Sequence, residues 1–170
     1  ALSTHLQVRI RRDGKQYHMG LEKGLVTSPL EHEKNVRKNN TGTQIRFWPD
    51  AQFFDTLKFD VKRLMHNLRS KAVLCSGLKV EFYNEQDESE QVWQYTDGLT
   101  DYLLSRLQEY ERIPTKGFNG KLEGDEFAMQ WSVMWLPESP ESVQESYVNL
   151  IPTVQGGTHV NGLRSGLTEA

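Results

Sequence analysis

Residues 6–14 are Leu-Gln-Val-Arg-Ile-Arg-Arg-Asp-Gly, and their pattern indicates the fold class of the first part of the chain. Leu6, Val8 and Ile10 alternate with polar residues, which is the period of a β-strand with one apolar face. The dipeptide Asp13-Gly14 is a strong signal for a two-residue hairpin turn. The stretch therefore predicts the start of an antiparallel sheet.

The sequence after this turn continues as β-structure with one interruption. The return strand places Tyr17, Met19 and Leu21 on one side. Residues 23–42 show no clear period and are rich in Lys, Asn, Ser and Gly, so we expect a long exposed connection. Residues 43–48 alternate again and stop at Pro49, which predicts a third strand.

From residue 60 the apolar period changes to that of an amphipathic helix. Apolar residues recur on one helical face at Val61, Leu64, Met65, Leu68 and Ala72. The further elements that we expect are strands over 78–82, 92–95, 127–136 and 146–151, a helix capped by Asp97, and a helix that starts near Val160. The pattern predicts an α+β fold with a break over 49–60 between a β-rich first part and a mixed second part.

Composition and charge exclude several classes of protein. The chain has 170 residues, which is the length of one domain or of parts of two. It has one cysteine, so it forms no internal disulfide and no CxxC zinc site, and no apolar run is long enough to span a bilayer. The net charge is −3, but residues 1–46 carry nine basic and four acidic side chains. Positive charge is therefore concentrated in the first part of the chain.

Common catalytic motifs are absent, but two polar residues occupy positions in the apolar phase of predicted strands. The sequence contains neither of the usual glycine-rich phosphate-binding motifs, and its five histidines lack zinc-ligand spacing. Arg12 continues the apolar phase of its strand, so its guanidinium either meets a carboxylate, a ligand or a wet pocket, or extends into solvent at the strand end. Thr43 is in phase with Ile45 and Phe47, and its hydroxyl either faces a pocket or satisfies a backbone carbonyl.

Several longer motifs resemble the B subunits of type IIA DNA topoisomerases. They are VRIRRDG at 8–14, the segment 40–50 with NTGT and FWPD, KAVLC at 71–75, SYVNLIPT at 146–153 and QGGTHVNGLR at 155–164. The resemblance covers essentially the whole chain. It is closer to the topoisomerase IV branch of the family than to the gyrase branch.

The resemblance implies an architecture of two incomplete domains. Residues 1–50 would be the last strands of a GHKL-type ATPase domain. Residues 51–170 would be the first part of a transducer domain, which is similar to the second domain of ribosomal protein S5. Both ends of the chain are then expected to lie inside domains.

The resemblance also assigns roles to four residues. Thr43 would help hold the water that bridges adenine to a carboxylate, Ile45 would line the adenine pocket, and Arg12 would lie at the pocket mouth. Arg164 would face the cavity that holds the transported DNA duplex, where a guanidinium suits phosphate contacts. The catalytic glutamate, the ligand of Mg²⁺ and the phosphate contacts of ATP would lie outside these residues. We therefore expect no metal site and no catalytic residue in this chain, and no ATP hydrolysis by the chain alone.

In an intact enzyme, the resemblance implies an ATP-operated clamp that passes one DNA duplex through another. The expected partners are DNA, the A subunit of topoisomerase IV in a heterotetramer, and a second B subunit in an ATP-dependent dimer, all in the bacterial cytoplasm at the nucleoid. The B subunit of DNA gyrase is an alternative with the same architecture. A non-catalytic S5-like nucleic-acid-binding module is another, but residues 51–170 carry 11 basic and 18 acidic side chains, which argues against a broad basic surface there.

Overall fold

The computed structural model of the chain describes residues 2–139 and 142–169. The chain divides into two compact units between Asp60 and Val61. This division lies at the end of the break that the sequence pattern indicates. The assignment of 1–50 and 51–170 to an ATPase domain and a transducer domain stays a prediction.

The first unit is a four-stranded antiparallel sheet in the order β3-β2-β1-β4. The strands are β1 (Ser3–Arg12), β2 (Lys15–Glu22), β3 (Leu25–Asn35) and β4 (Gly42–Pro49). Asp13 and Gly14 both have positive φ, at 52° and 77°, and Arg12 pairs with Lys15 across them. The predicted two-residue hairpin is confirmed, because this turn needs left-handed backbone at both central residues.

The prediction of a long exposed connection over 23–42 is wrong for Leu25–Asn35, which form strand β3. A second turn at Lys23 and Gly24, again with positive φ at both residues, leads into β3. The strand escaped detection because it is an edge strand with almost no buried side chain and with Pro29 and several charged residues in it. Edge strands tolerate proline and charge, so they need no apolar alternation.

In the part of the second unit that the structure describes, there are three helices and three two-stranded antiparallel ladders. The helices are α1 (Val61–Leu74), α2 (Gly98–Arg106) and α3 (Thr158–Glu169). The ladders pair β5 (Val80–Asn84) with β6 (Ser89–Trp93), β7 (Ile113–Glu123) with β8 (Ala128–Trp135), and β9 (Tyr147–Val148) with β10 (Ile151–Pro152). No helix in the described residues is long and apolar enough to cross a membrane.

The most deeply buried part of the second unit lies where α1 meets α2. Ala72 is fully buried, and Val73, Tyr102 and Leu107 are nearly so. At Gly98, which has a φ of 42°, an added Cβ would lie 2.8 Å from the Val73 carbonyl oxygen. Small side chains at Ala72 and Gly98 therefore let the two helices approach closely.

Two local predictions in this unit need correction. The strand expected over 146–151 is instead the hairpin β9–β10, because Asn149 and Leu150 have positive φ and turn the chain. Asp97 occupies the N-cap position of α2 but makes no side-chain cap hydrogen bond, since its backbone does not adopt the extended conformation that capping requires. The Asp101 carboxylate instead accepts the N–H groups of Thr96 at 3.0 Å and Asp97 at 2.7 Å.

Candidate functional site

The register of β1 against β4 aligns two of the three predicted nucleotide-site residues, Thr43 and Ile45, with the apolar face of β1. Val8 pairs with Ile45 and Ile10 pairs with Thr43. Side chains alternate along a strand and paired residues point to the same side, so Thr43 and Ile45 share a face with Ile10. Arg12 lies on that face one alternation beyond Ile10. We call the face that carries Arg12, Thr43 and Ile45 the nucleotide wall, after the role that the resemblance predicts for these residues.

The nucleotide wall is largely apolar and open. The exposed fraction of Ile45 is 61%, and Phe47, next along the same face, is half exposed. The ring of Phe59 packs edge-on against Phe47 at 6.1 Å between centroids. An apolar strip with one hydroxyl beside it can accommodate a flat heteroaromatic ring and fix its orientation by a hydrogen bond.

The side chain of Arg12 extends into solvent at the end of β1, which is one of the two alternatives that the sequence left open. Its side chain is 80% exposed, and its Nε lies 3.5 Å from a carboxylate oxygen of Asp13. An exposed pair of this kind holds the side chain only weakly. The guanidinium is therefore free to turn toward a planar or anionic group, and its place at a pocket mouth stays a prediction.

The second unit contains a polar cluster that sequence reasoning missed. We call it the Glu145 network, and it consists of Arg69, Ser70, Tyr102, Glu145 and Tyr147. The Tyr102 hydroxyl donates to Glu145 Oε1 at 2.7 Å, and the Tyr147 hydroxyl donates to Oε2 of the same carboxylate at 2.5 Å. Arg69 Nη2 donates to the Tyr102 oxygen at 3.3 Å, and Ser70 Oγ lies 3.1 Å from Tyr147 Oη. The network joins α1, α2 and β9.

Ring contacts and burial complete this network. The Arg69 guanidinium lies 5.1 Å from the centroid of the Tyr102 ring, and the ring of Tyr95 packs edge-on against Tyr102 at 6.0 Å. Burial, and then the hydrogen bond to Glu145, raises the pKa of Tyr147 to about 12 and raises the pKa of Tyr102 well above its usual range. Both phenols donate to the same carboxylate, so the cluster connects α1, α2 and β9.

The shifted tyrosines predict a loss of stability at alkaline pH. A raised pKa means that the folded chain keeps the phenol proton after the unfolded chain has lost it. The contribution is complete below about pH 10, the usual tyrosine pKa, and is lost as the pH rises through about 12. Tyr147→Phe should therefore flatten the fall of the free energy of unfolding across this interval, whereas Tyr83→Phe, at an exposed residue, should not. Chemical unfolding at a series of pH values measures both slopes, and parallel curves for wild type and Tyr147→Phe would contradict the prediction.

Arg164 lies on α3, in the second unit, and belongs to neither cluster. It is exposed, and its Nη2 donates to Gln144 Oε1 at 3.3 Å. The start of α3 is tied back by a chain in which Ser146 Oγ lies 2.6 Å from Thr153 Oγ1, which in turn lies 3.4 Å from His159 Nε2. The helix that presents Arg164 is thus anchored, and the contact of this arginine with DNA stays a prediction.

The side chains that the structure describes do not form a set of ligands for magnesium. Across 2–139 and 142–169, no group of three or more His, Cys, Asp or Glu side chains could hold a metal ion. A cleft of about 290 Å³ lies at the end of α2 and is lined by Ser105 to Tyr110, Leu136 and Val143. It contains none of the four residues that the resemblance singles out.

Comparison with known proteins gives matches over the whole of this chain to B subunits of DNA topoisomerase 4. The chain is 52% identical to the B subunit of DNA topoisomerase 4 from Pseudomonas aeruginosa and 49% identical to that from Escherichia coli, over all of its 170 residues in both cases. It spans 27% of the length of these relatives. The family described as DNA gyrase B matches residues 98–170.

Solved structures of the same kind of protein have a fold similar to that of this chain. The topoisomerase IV ATP-binding domain of Francisella tularensis, in complex with a small-molecule inhibitor, matches all of this chain and 45% of that one, with a TM-score of 0.79 and 40% identity. The B subunit of DNA gyrase from Myxococcus xanthus matches 96% of this chain and 48% of that one, with a TM-score of 0.86 and 25% identity. The α+β fold class, with the end of a GHKL-type ATPase sheet followed by a mixed unit, is confirmed.

Proposed function

Because this chain belongs to the B-subunit family of type IIA DNA topoisomerases, we propose that it forms part of the ATP-operated clamp of a topoisomerase IV. In that role it couples ATP binding and hydrolysis to the passage of one DNA duplex through another, and so to decatenation and relaxation. The observation that carries the proposal is the match of about half the residues, over the entire chain, to B subunits of DNA topoisomerase 4.

The nucleotide wall is the proposed contribution of the first unit to ATP binding. Ile45 supplies apolar contact to the adenine ring, and Thr43 supplies the hydroxyl that helps hold a bridging water. Their common face on β4 and their exposure support this assignment. Arg12 is proposed to lie at the mouth of the same pocket. ATP supplies the free energy of the cycle, and the residues that bind Mg²⁺ and activate water are expected outside this chain.

The second unit is proposed to be the lever that transmits the nucleotide state. The Glu145 network and the close approach of α1 to α2 connect α1, α2 and β9 to one another, and connected elements of this kind suit a lever. Arg164 is proposed to contact phosphates of the transported duplex. The A subunit of topoisomerase IV and a second B subunit are the proposed protein partners.

Substitution of Thr43 in a full-length B subunit that contains this segment tests the proposed nucleotide site. Thr43→Val keeps the shape but removes the hydroxyl, so we expect the KM for ATP to rise roughly tenfold, as the loss of one hydrogen bond of about 1.4 kcal/mol implies. Thr43→Ser keeps the hydroxyl and should stay near the wild-type KM. A coupled assay of ATP hydrolysis measures both variants, and equal KM values for Val, Ser and wild type would refute the role of Thr43.

A further inference from the structure

The face of the first sheet opposite the nucleotide wall carries a regular array of long polar side chains. Gln7 pairs directly with Arg46, and Arg9 pairs directly with Gln44, in alternate rungs of the β1–β4 ladder, so their side chains lie on one face. Arg11 lies two residues beyond Arg9 on the same face, opposite Gly42, where no side chain competes for space. We call these five side chains, Gln7, Arg9, Arg11, Gln44 and Arg46, the arginine ladder.

The arginine ladder has more positive charge than its surroundings neutralise. Arg9 lies 3.9 Å from Glu33, whose pKa is lowered chiefly by a hydrogen bond from Gln16. Arg11 and Arg46 have no carboxylate partner within 4.0 Å among the described residues. Arg46 instead lies 5.2 Å from the centroid of the Trp48 ring, an orientation that holds its guanidinium along the sheet. Two guanidinium groups are thus available to an anion.

Spacing and chemistry favour the backbone of a nucleic acid over a small anion. Alternate residues on a strand are about 7 Å apart, so the ladder presents a row of cations rather than one enclosed site. Arginine and glutamine side chains both donate hydrogen bonds to phosphate oxygens, and contacts of that kind read no sequence. The region 1–46 has a net charge of +5, whereas the rest of the chain has −8, so the electrostatic attraction for DNA is centred on this sheet.

We propose that the arginine ladder is a second DNA-binding surface, separate from Arg164, that contacts the phosphates of a duplex. The inference rests on the proposed function, because that function makes duplex DNA the polyanion available to the protein. The ladder faces away from Thr43 and Ile45, so DNA contact there does not require the nucleotide wall to be filled.

Charge removal at the two arginines that lack a carboxylate partner tests this surface. The double variant Arg11→Gln with Arg46→Gln in the full-length B subunit keeps polar side chains at both rungs. The affinity for a short fluorescein-labelled duplex of mixed sequence is measured by anisotropy between about 50 and 200 mM salt, without nucleotide. Lys23→Gln with Lys58→Gln is the control, because it removes the same charge from exposed positions of the same unit outside the ladder.

We expect the ladder variant to bind the duplex at least about tenfold more weakly, since hydrogen bonds to charged groups are the stronger class. The slope of log affinity against log salt should shrink by about two, and the control should stay close to wild type. ATP hydrolysis without DNA should be unchanged, which also shows that the variant folds. An unchanged salt slope in the ladder variant, or an equal loss of DNA affinity in the control, would overturn the proposal. The arginine ladder would then be a candidate surface for an acidic protein partner. A failure of the proposed ATP function would appear instead in the Thr43 series and not in this nucleotide-free measurement.

Discussion

Replacing Tyr102 with alanine is expected to lower the free energy of unfolding of the second unit by about 3–5 kcal/mol. Tyr102 is only 7% exposed, and its ring contacts both the Arg69 guanidinium and the ring of Tyr95. Truncation removes this buried ring, leaves a cavity beside α1 and deprives Glu145 of one of its two phenol donors. Three separate stabilising contributions are therefore lost together.

Tyr102→Phe is the matched control for this prediction. It removes the hydroxyl alone and should cost about 0.5–1.5 kcal/mol, because Glu145 is exposed to water and keeps the hydrogen bond from Tyr147. Urea unfolding followed by tryptophan fluorescence compares the variants, since Trp93, Trp131 and Trp135 all lie in this unit. An alanine variant no less stable than the phenylalanine variant would show that ring burial contributes little.

Gly98→Ala is expected to destabilise the second unit by about 2–4 kcal/mol. Left-handed backbone at a residue with a Cβ costs about 1–2 kcal/mol, and the new methyl group would also lie 2.8 Å from the Val73 carbonyl oxygen. The methyl group would have to push α2 away from α1 at the most deeply buried part of the unit. The close approach of the helices therefore adds to the backbone cost.

Gly77 separates the two contributions. Its φ of 81° is also left-handed, but an added Cβ there would meet nothing within 4 Å. Gly77→Ala should therefore cost only the backbone term, about 1–2 kcal/mol. Equal losses of stability for the two glycine variants, measured by the same unfolding assay, would contradict the account of helix packing.

The elements predicted well from the sequence are those whose apolar periodicity and turn residues match the way they pack in the structure. The β1–β2 hairpin follows from alternation and from Asp13-Gly14, and α1 follows from an apolar face that is partly buried where predicted. Strand β3 gave no such signal, because an edge strand with nothing packed on its side chains is under no pressure to alternate. The β9–β10 turn at Asn149 and Leu150 was invisible because neither residue is glycine.

The candidate sites also differ in how far the sequence could predict them. The resemblance identified Thr43 and Ile45, and the strand register then placed them on one face. The Glu145 network could not be anticipated, because Tyr102 and Glu145 are 43 residues apart and no spacing rule joins them. The arginine ladder could not be predicted from sequence for another reason: Arg11 and Arg46 are 35 positions apart in the sequence, and only the pairing of β1 with β4 aligns their strands.

An exchange of segments between relatives tests whether this chain forms part of the ATP-operated clamp of a topoisomerase IV. Residues 1–170 replace the matching segment of the Pseudomonas aeruginosa protein, and the chimera is combined with the A subunit of topoisomerase IV and assayed on interlinked DNA circles. We expect the chimera to decatenate DNA in an ATP-dependent reaction and to introduce no negative supercoils. The Thr43→Val substitution should weaken this decatenation at limiting ATP. A chimera that assembles with the A subunit and binds DNA, yet decatenates equally well with and without ATP or not at all, would contradict the proposed function.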